Sequence, residues 1–181
     1  MPDNVTRRQF LQRSAATAPL ATAATWALAG APDRAMADGD TNPPIPYANE
    51  TLPSGVRSRF VHGINGLRMH VLEAGYEDDS RPGLLLLHGF PELAYSWRNV
   101  MVPLAEAGYH VFAPDQRGYG RTTGWDGAYD GDLAKFRRLN IVRDAIGLVF
   151  ALGHRSVAAV VGHDFGSPIA AWCAITRPDV F

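Results

Sequence analysis

The sequence predicts an α/β fold, in which an antiparallel hairpin leads into parallel strands that alternate with helices. Three observations carry that prediction. Gly83–Leu87 and residues 157–161 are short all-apolar runs, and residues 109–113 form a third such run interrupted only by His110, the signature of strands buried on both faces. Segments with apolar residues at helical spacing separate them. Two stretches of alternating polarity, joined by Gly63-Ile64-Asn65-Gly66, come before them.

Composition sets the frame. The chain has 181 residues, is 46% hydrophobic and carries a formal net charge of -1, which suits one soluble globular domain. With so small a charge and no long run of one sign, nucleic acid is not an expected partner. Cys173 is the only cysteine, so no internal disulfide is possible. The chain shows no Cys/His zinc spacing. Gly118-x-Gly120 lacks the third glycine and the downstream acid of a dinucleotide site. No cofactor or metal is expected.

The first 37 residues read as a targeting segment. Thr6-Arg7-Arg8-Gln9-Phe10-Leu11 resembles the twin-arginine export motif. An Ala/Thr-rich apolar run follows, and Ala35-Met36-Ala37 supplies a cleavage site before Asp38. The run is too weakly hydrophobic for a stable membrane anchor. Expected partners are thus the twin-arginine export machinery and a small-molecule substrate, and the expected location is periplasmic or secreted. Residues 38–55, with Pro43, Pro44, Pro46 and Pro53, read as an extended linker. Residues 56–181 form the core.

Residues 56–62 and 67–73 are the hairpin. Gly83–Leu87 is the first buried strand and runs into His88-Gly89-Phe90-Pro91-Glu92. Residues 94–107 form a helix with Trp97, Val100, Met101 and Leu104 at helical spacing. Residues 109–113 are the next strand, ending at Asp115-Gln116-Arg117-Gly118-Tyr119-Gly120. After a glycine-rich loop, residues 133–152 read as an amphipathic helix. Phe136, Leu139, Val142, Ile146 and Val149 share its apolar face, and Arg137, Arg138 and Asp144 lie off it. The strand at 157–161 then turns through Gly162-His163-Asp164-Phe165-Gly166 into an apolar helix that stops before Pro178.

That last turn has the small-x-nucleophile-x-small pattern between strand and helix, with Asp where Ser is commoner. The central residue of such a turn is strained, and the helix passes so close to the strand that a Cβ at either glycine clashes. An Asp can also cap a helix, the alternative for Asp164.

His88-Gly89-Phe90-Pro91-Glu92 with Tyr95-Ser96-Trp97-Arg98, Asp115-x-Arg117-Gly118-Tyr119-Gly120, and the Asp164 turn together resemble the α/β-hydrolase-fold epoxide hydrolases. The resemblance runs from about residue 59 to 181. It implies the N-terminal half of the α/β-hydrolase fold, with Asp164 as nucleophile. It further implies the backbone amides of Phe90 and Phe165 as oxyanion hole. Pro91 and Trp97 are candidates to line the substrate pocket, although the helical spacing of Trp97 fits the core at least as well. The chemistry agrees. Opening an epoxide is attack at a saturated carbon; Ser leaves an ether there, whereas Asp leaves an ester that activated water can cleave. Phe90 and Phe165 stand where related haloalkane dehalogenases usually carry halide-binding Asn and Trp, and Phe165 where fluoroacetate dehalogenases usually carry Arg. Epoxide hydrolases most often have Trp at that place. A dehalogenase with the same nucleophile and a non-catalytic binding protein are the alternatives.

The resemblance also implies a lid with two tyrosines, a second acid and a late histidine, all beyond Phe181. None of the six histidines has the place of that base. The polypeptide is therefore expected to be a fragment or truncated, and to turn over no epoxide by itself.

Overall fold

A computed structural model describes residues 43–181; the twin-arginine motif, the cleavage site at Ala37 and Asp38, and the start of the Pro-rich segment lie outside them. Five strands form one mixed sheet: β1 (Val56–Ile64), β2 (Leu67–Ala74), β3 (Gly83–Leu87), β4 (His110–Pro114) and β5 (Val157–Gly162), in the order β1-β2-β4-β3-β5. β1 and β2 pair antiparallel, as do β2 and β4, whereas β4, β3 and β5 run parallel. Helices α1 (Arg98–Glu106), α2 (Arg138–Ala151) and α3 (Gly166–Thr176) cover the sheet.

Strand alternation divides the core in two. Leu85, Leu87 and Phe112 point toward α2 and α3, where they meet Val142, Leu148, Ile169 and Cys173. Leu84, Leu86, Val111 and Ala113 point the other way, toward Met101 and Ala105 of α1. The hairpin closes through Asn65 and Gly66, both at positive φ (51° and 83°), the two-residue Asn-Gly turn whose twist suits antiparallel strands. The expected four-residue turn is thus two residues long, with Gly63 taken up by a register shift in β1.

The Pro-rich segment packs on the core from residue 44 onward. Leu52 is buried in the α1-side core, Tyr47 packs edge-on against His70, and Arg68 and Arg121 donate to the carbonyls of Pro44 and Ile45.

Several elements differ from the sequence reading. The helix expected over 94–107 opens as a 3-10 turn, Ala94–Trp97, before α1 begins. The helix expected over 133–152 is two pieces: a 3-10 turn, Leu133–Phe136, capped by Asp132, and α2, with extended backbone at Arg137 between them. The buried stripe of α2 centres on Ala145 and Leu148, so Leu139 is 56% exposed and Asp144 is buried. β5, expected to be buried on both faces, is the outer strand among the described residues, and its Val161 is 40% exposed.

Asp144 tolerates burial because Arg117 grips it with two nitrogens, at 2.7 and 2.8 Å, and Asn65 donates at 2.9 Å. This joins the loop after β4, the hairpin turn and α2. Glu73 of β2 is buried likewise and held by Arg57 and Arg59 of β1, with His110 of β4 beside it. Removing one member of such a pair strands the other charge. Asp144→Ala is expected to lower unfolding stability by about 3–5 kcal/mol in urea titrations, and a loss under about 1 kcal/mol contradicts this account of the pair.

Candidate active site

β3 and β5 are parallel neighbours, with Leu86 opposite Val161 and Leu87 opposite Gly162. Their carboxyl ends therefore open onto the same edge of the sheet, where ligands bind in open α/β sheets. One end continues as His88-Gly89-Phe90, the other as His163-Asp164-Phe165. The His163 N–H extends the ladder by donating to the Leu87 carbonyl at 3.0 Å.

Asp164 sits at φ 48°, in the left-handed region that non-glycine residues rarely adopt. The turn is held by Gly166 N–H on the His163 carbonyl and Ser167 N–H on the Asp164 carbonyl. Both flanking glycines are required by close approach. A Cβ on Gly162 falls 2.3 Å from the Gly166 carbonyl oxygen, and one on Gly166 falls 2.2 Å from that of Leu87.

No side chain caps α3. The Asp164 carboxylate instead points back at the β3 loop, where its Oδ1 accepts the Phe90 N–H at 2.9 Å. The Phe165 N–H, next along the chain, also bears on the charge. The Phe90 N–H bond, then that from Phe165, holds the Asp164 carboxyl below the ordinary aspartate value. Gly89 makes the approach possible, because a Cβ there falls 2.5 Å from that of Asp164. The Phe90 and Phe165 rings meet edge to face, 6.0 Å between centroids, and are 61% and 64% exposed. They put an apolar rim beside an open carboxylate.

A cavity of about 260 Å³ adjoins this rim, lined by His88, Gln116, Tyr119 and Phe165 on one side and Phe136 and Ile141 on another. Burial raises the Tyr119 pKa, and the Asp164 charge adds to the rise. A larger opening, about 490 Å³, lies by the Arg117–Asp144 pair and does not include Asp164. Among the described residues no cluster of three His, Cys, Asp or Glu is arranged for a metal ion.

The predicted site residues separate into two groups. Asp164, Phe90 and Phe165 come together, with Pro91 exposed beside them. Trp97 does not: it packs against the α1-side core on the opposite face, the place its helical spacing also allowed. Sequence reasoning gave Tyr119 and Gln116 no role, although both stand in the glycine-rich motif that leaves a buried strand, the usual position of site residues. His163 is exposed, with Glu92 3.4 Å from its ring nitrogen.

The comparisons agree with this architecture. The model of the α/β hydrolase fold family matches residues 82–181. The chain is 42% identical over 125 residues to an AB hydrolase superfamily protein of Bacillus subtilis, covering 69% of this chain and 41% of that protein. It is 42% identical over 117 residues to an epoxide hydrolase of Caballeronia sordidicola, covering 65% and 32%. An epoxide hydrolase structure from an endophytic Streptomyces superposes with a TM-score of 0.62 at 45% identity, over 71% of this chain and 35% of that one. The chain thus spans about a third to two-fifths of the length of these relatives.

A carboxyl that accepts a backbone N–H bond as the anion is favoured in its ionised form. The carbon-13 titration of the Asp164 carboxyl is expected to have its midpoint below 3.8, and a midpoint at or above 3.8 contradicts the geometry. The sign follows: this bonding adds stability above the unfolded value, and the contribution is lost as pH falls through the lower folded one.

Proposed function

The chain belongs to the α/β hydrolase fold family, and from that premise we propose that it is the nucleophile-bearing part of an epoxide hydrolase. Its similarity to proteins named epoxide hydrolases supports the substrate class. The observation that carries the mechanism is the Asp164 carboxylate, exposed in a strained turn with the Phe90 N–H on it at 2.9 Å.

In this reading Asp164 attacks one ring carbon of the epoxide. A carboxylate oxygen–carbon bond forms, the ring carbon–oxygen bond breaks, and the freed oxygen takes a proton from an acid. The product is an ester on Asp164. Water, giving its proton to a base, then adds to the ester carbonyl carbon. The negative oxygen that develops there meets the N–H groups of Phe90 and Phe165, and its collapse breaks the bond from the carbonyl carbon to the bridging oxygen. That oxygen leaves with the substrate and takes one of water's two protons to complete the diol; the other restores the acid, and Asp164 is again a carboxylate. Preorganised donors of this kind are worth about 2.7–4 kcal/mol each. The acid and the base are assigned to the remainder of the protein, so this polypeptide alone turns over no epoxide. Phe90 and Phe165 offer a halide no side-chain N–H, which favours an epoxide over an alkyl halide.

We assign residues 1–37 to twin-arginine export, which delivers the enzyme to the periplasm or beyond; this rests on the sequence of that segment. Replacing Arg7 and Arg8 together with Lys is expected to leave unprocessed protein in the cytoplasm. Protein still cleaved before Asp38 and exported contradicts that assignment.

With the intact protein, mass spectrometry after exposure to an epoxide is expected to find an ester adduct on Asp164. Asp164→Ala is expected to lose the adduct and at least about a thousandfold in diol formation. Undiminished turnover by Asp164→Ala contradicts the nucleophile role.

A further inference from the structure

We propose that His88 is a positioning residue: its Nδ1–H pins the Gly89 carbonyl and thereby aims the Phe90 N–H at Asp164. Its consequence for catalysis rests on the nucleophile reading above; its geometry does not.

His88 is wholly buried at the end of β3. Its Nδ1 lies 2.9 Å from the Gly89 carbonyl oxygen, and a carbonyl only accepts, so Nδ1 carries the proton. Its Nε2 lies 3.0 Å from the Gln116 backbone nitrogen, whose N–H only donates, so Nε2 offers its lone pair. Both nitrogens are assigned, and the imidazole is neutral with one tautomer. Burial acts the same way, depressing the His88 pKa.

The carbonyl that His88 holds belongs to the same peptide unit as the Phe90 N–H. That unit is planar and trans, so its C=O and N–H point in opposite directions, and fixing the oxygen fixes the N–H. The Glu92 N–H is a second donor to the Gly89 oxygen, at 3.1 Å. Two donors on the carbonyl also polarise the amide and strengthen its N–H toward Asp164. Tolerance for tilt is small, because Gly89 is already so close to Asp164 that it has no room for a Cβ.

Gln116 completes the brace. Its backbone N–H holds the ring, and its side-chain amide donates to the His88 carbonyl at 2.7 Å. The hydrogen bonds thus run from the end of β4, through His88, to the peptide that faces the nucleophile.

Nitrogen-15 spectra of His88 in the intact protein test the geometry without turnover. At neutral pH the expected form has Nδ1 protonated and Nε2 bare; a ring protonated on Nε2 overturns the proposal. Two variants then separate the two ring nitrogens. His88→Asn keeps a donor near the place of Nδ1, and His88→Gln keeps an acceptor near that of Nε2. His88→Gln is expected to raise the Asp164 titration midpoint and to lower kcat about tenfold or more, with KM little changed. His88→Asn is expected to keep the low midpoint and most of the kcat that His88→Gln loses. Equal damage from both variants, or an unmoved Asp164 midpoint in His88→Gln, overturns it. Absence of any adduct on Asp164 removes the catalytic consequence alone, since tautomer and titration are read independently.

Discussion

The Phe90 N–H and the Asp164 carboxylate come from residues 74 positions apart, and they meet at 2.9 Å. That contact exists only because β3 and β5 are parallel neighbours ending at the same level. It constrains everything around it. Gly89, Gly162 and Gly166 are each placed where a Cβ collides with the facing loop, helix or strand. Asp164 is left in a conformation that costs free energy, which the packing of α3 against β5 and β3 has to offset.

Rigidity behind the contact comes from buried polar groups whose demands are met. Asp115, at the end of β4, accepts from His70, from the Ala94 N–H and from the Arg121 N–H. Burial alone raises its pKa, but the His70 contact and the backbone donors outweigh it, and the group stays below the ordinary value. Asp115 therefore ties β2, the segment before α1 and the loop after β4 to one carboxylate. Arg117 does the same for α2 through Asp144. The pocket side of the molecule thus rests on two buried carboxylates, Asp115 and Asp144, which tie the loop after β4 to β2, to the segment before α1 and to α2.

Much of this was legible in the sequence. The strand Gly83–Leu87 shows as an unbroken apolar run, and the Asp164 turn shows because two glycines and an acid between a strand and a helix have few other uses. What could not be read is which polar residues find partners. Periodicity across 133–152 puts Val142 and Val149 inward, where they are, but also Leu139 inward and Asp144 outward; Leu139 lies in the exposed first turn of α2, and Asp144 is buried because Arg117 and Asn65 satisfy it. Trp97 fits either the pocket or the core from its helical spacing, and only the packing shows that it lies against the α1-side core. The exposure of β5 was illegible because an apolar run does not say how many neighbours a strand has. The orientation of His88 was hidden too, because it is fixed by a backbone N–H 28 residues downstream.

The central claim is that the bond broken in the second step is the ester carbonyl's bond to its oxygen from Asp164's side, not one at the substrate carbon. A single turnover in water enriched in oxygen-18, with the intact protein in excess over an epoxide, tests it directly. The account predicts that the first diol carries no label and that the label resides in the Asp164 carboxylate. Labelled diol from the first turnover, with Asp164 unlabelled, contradicts it.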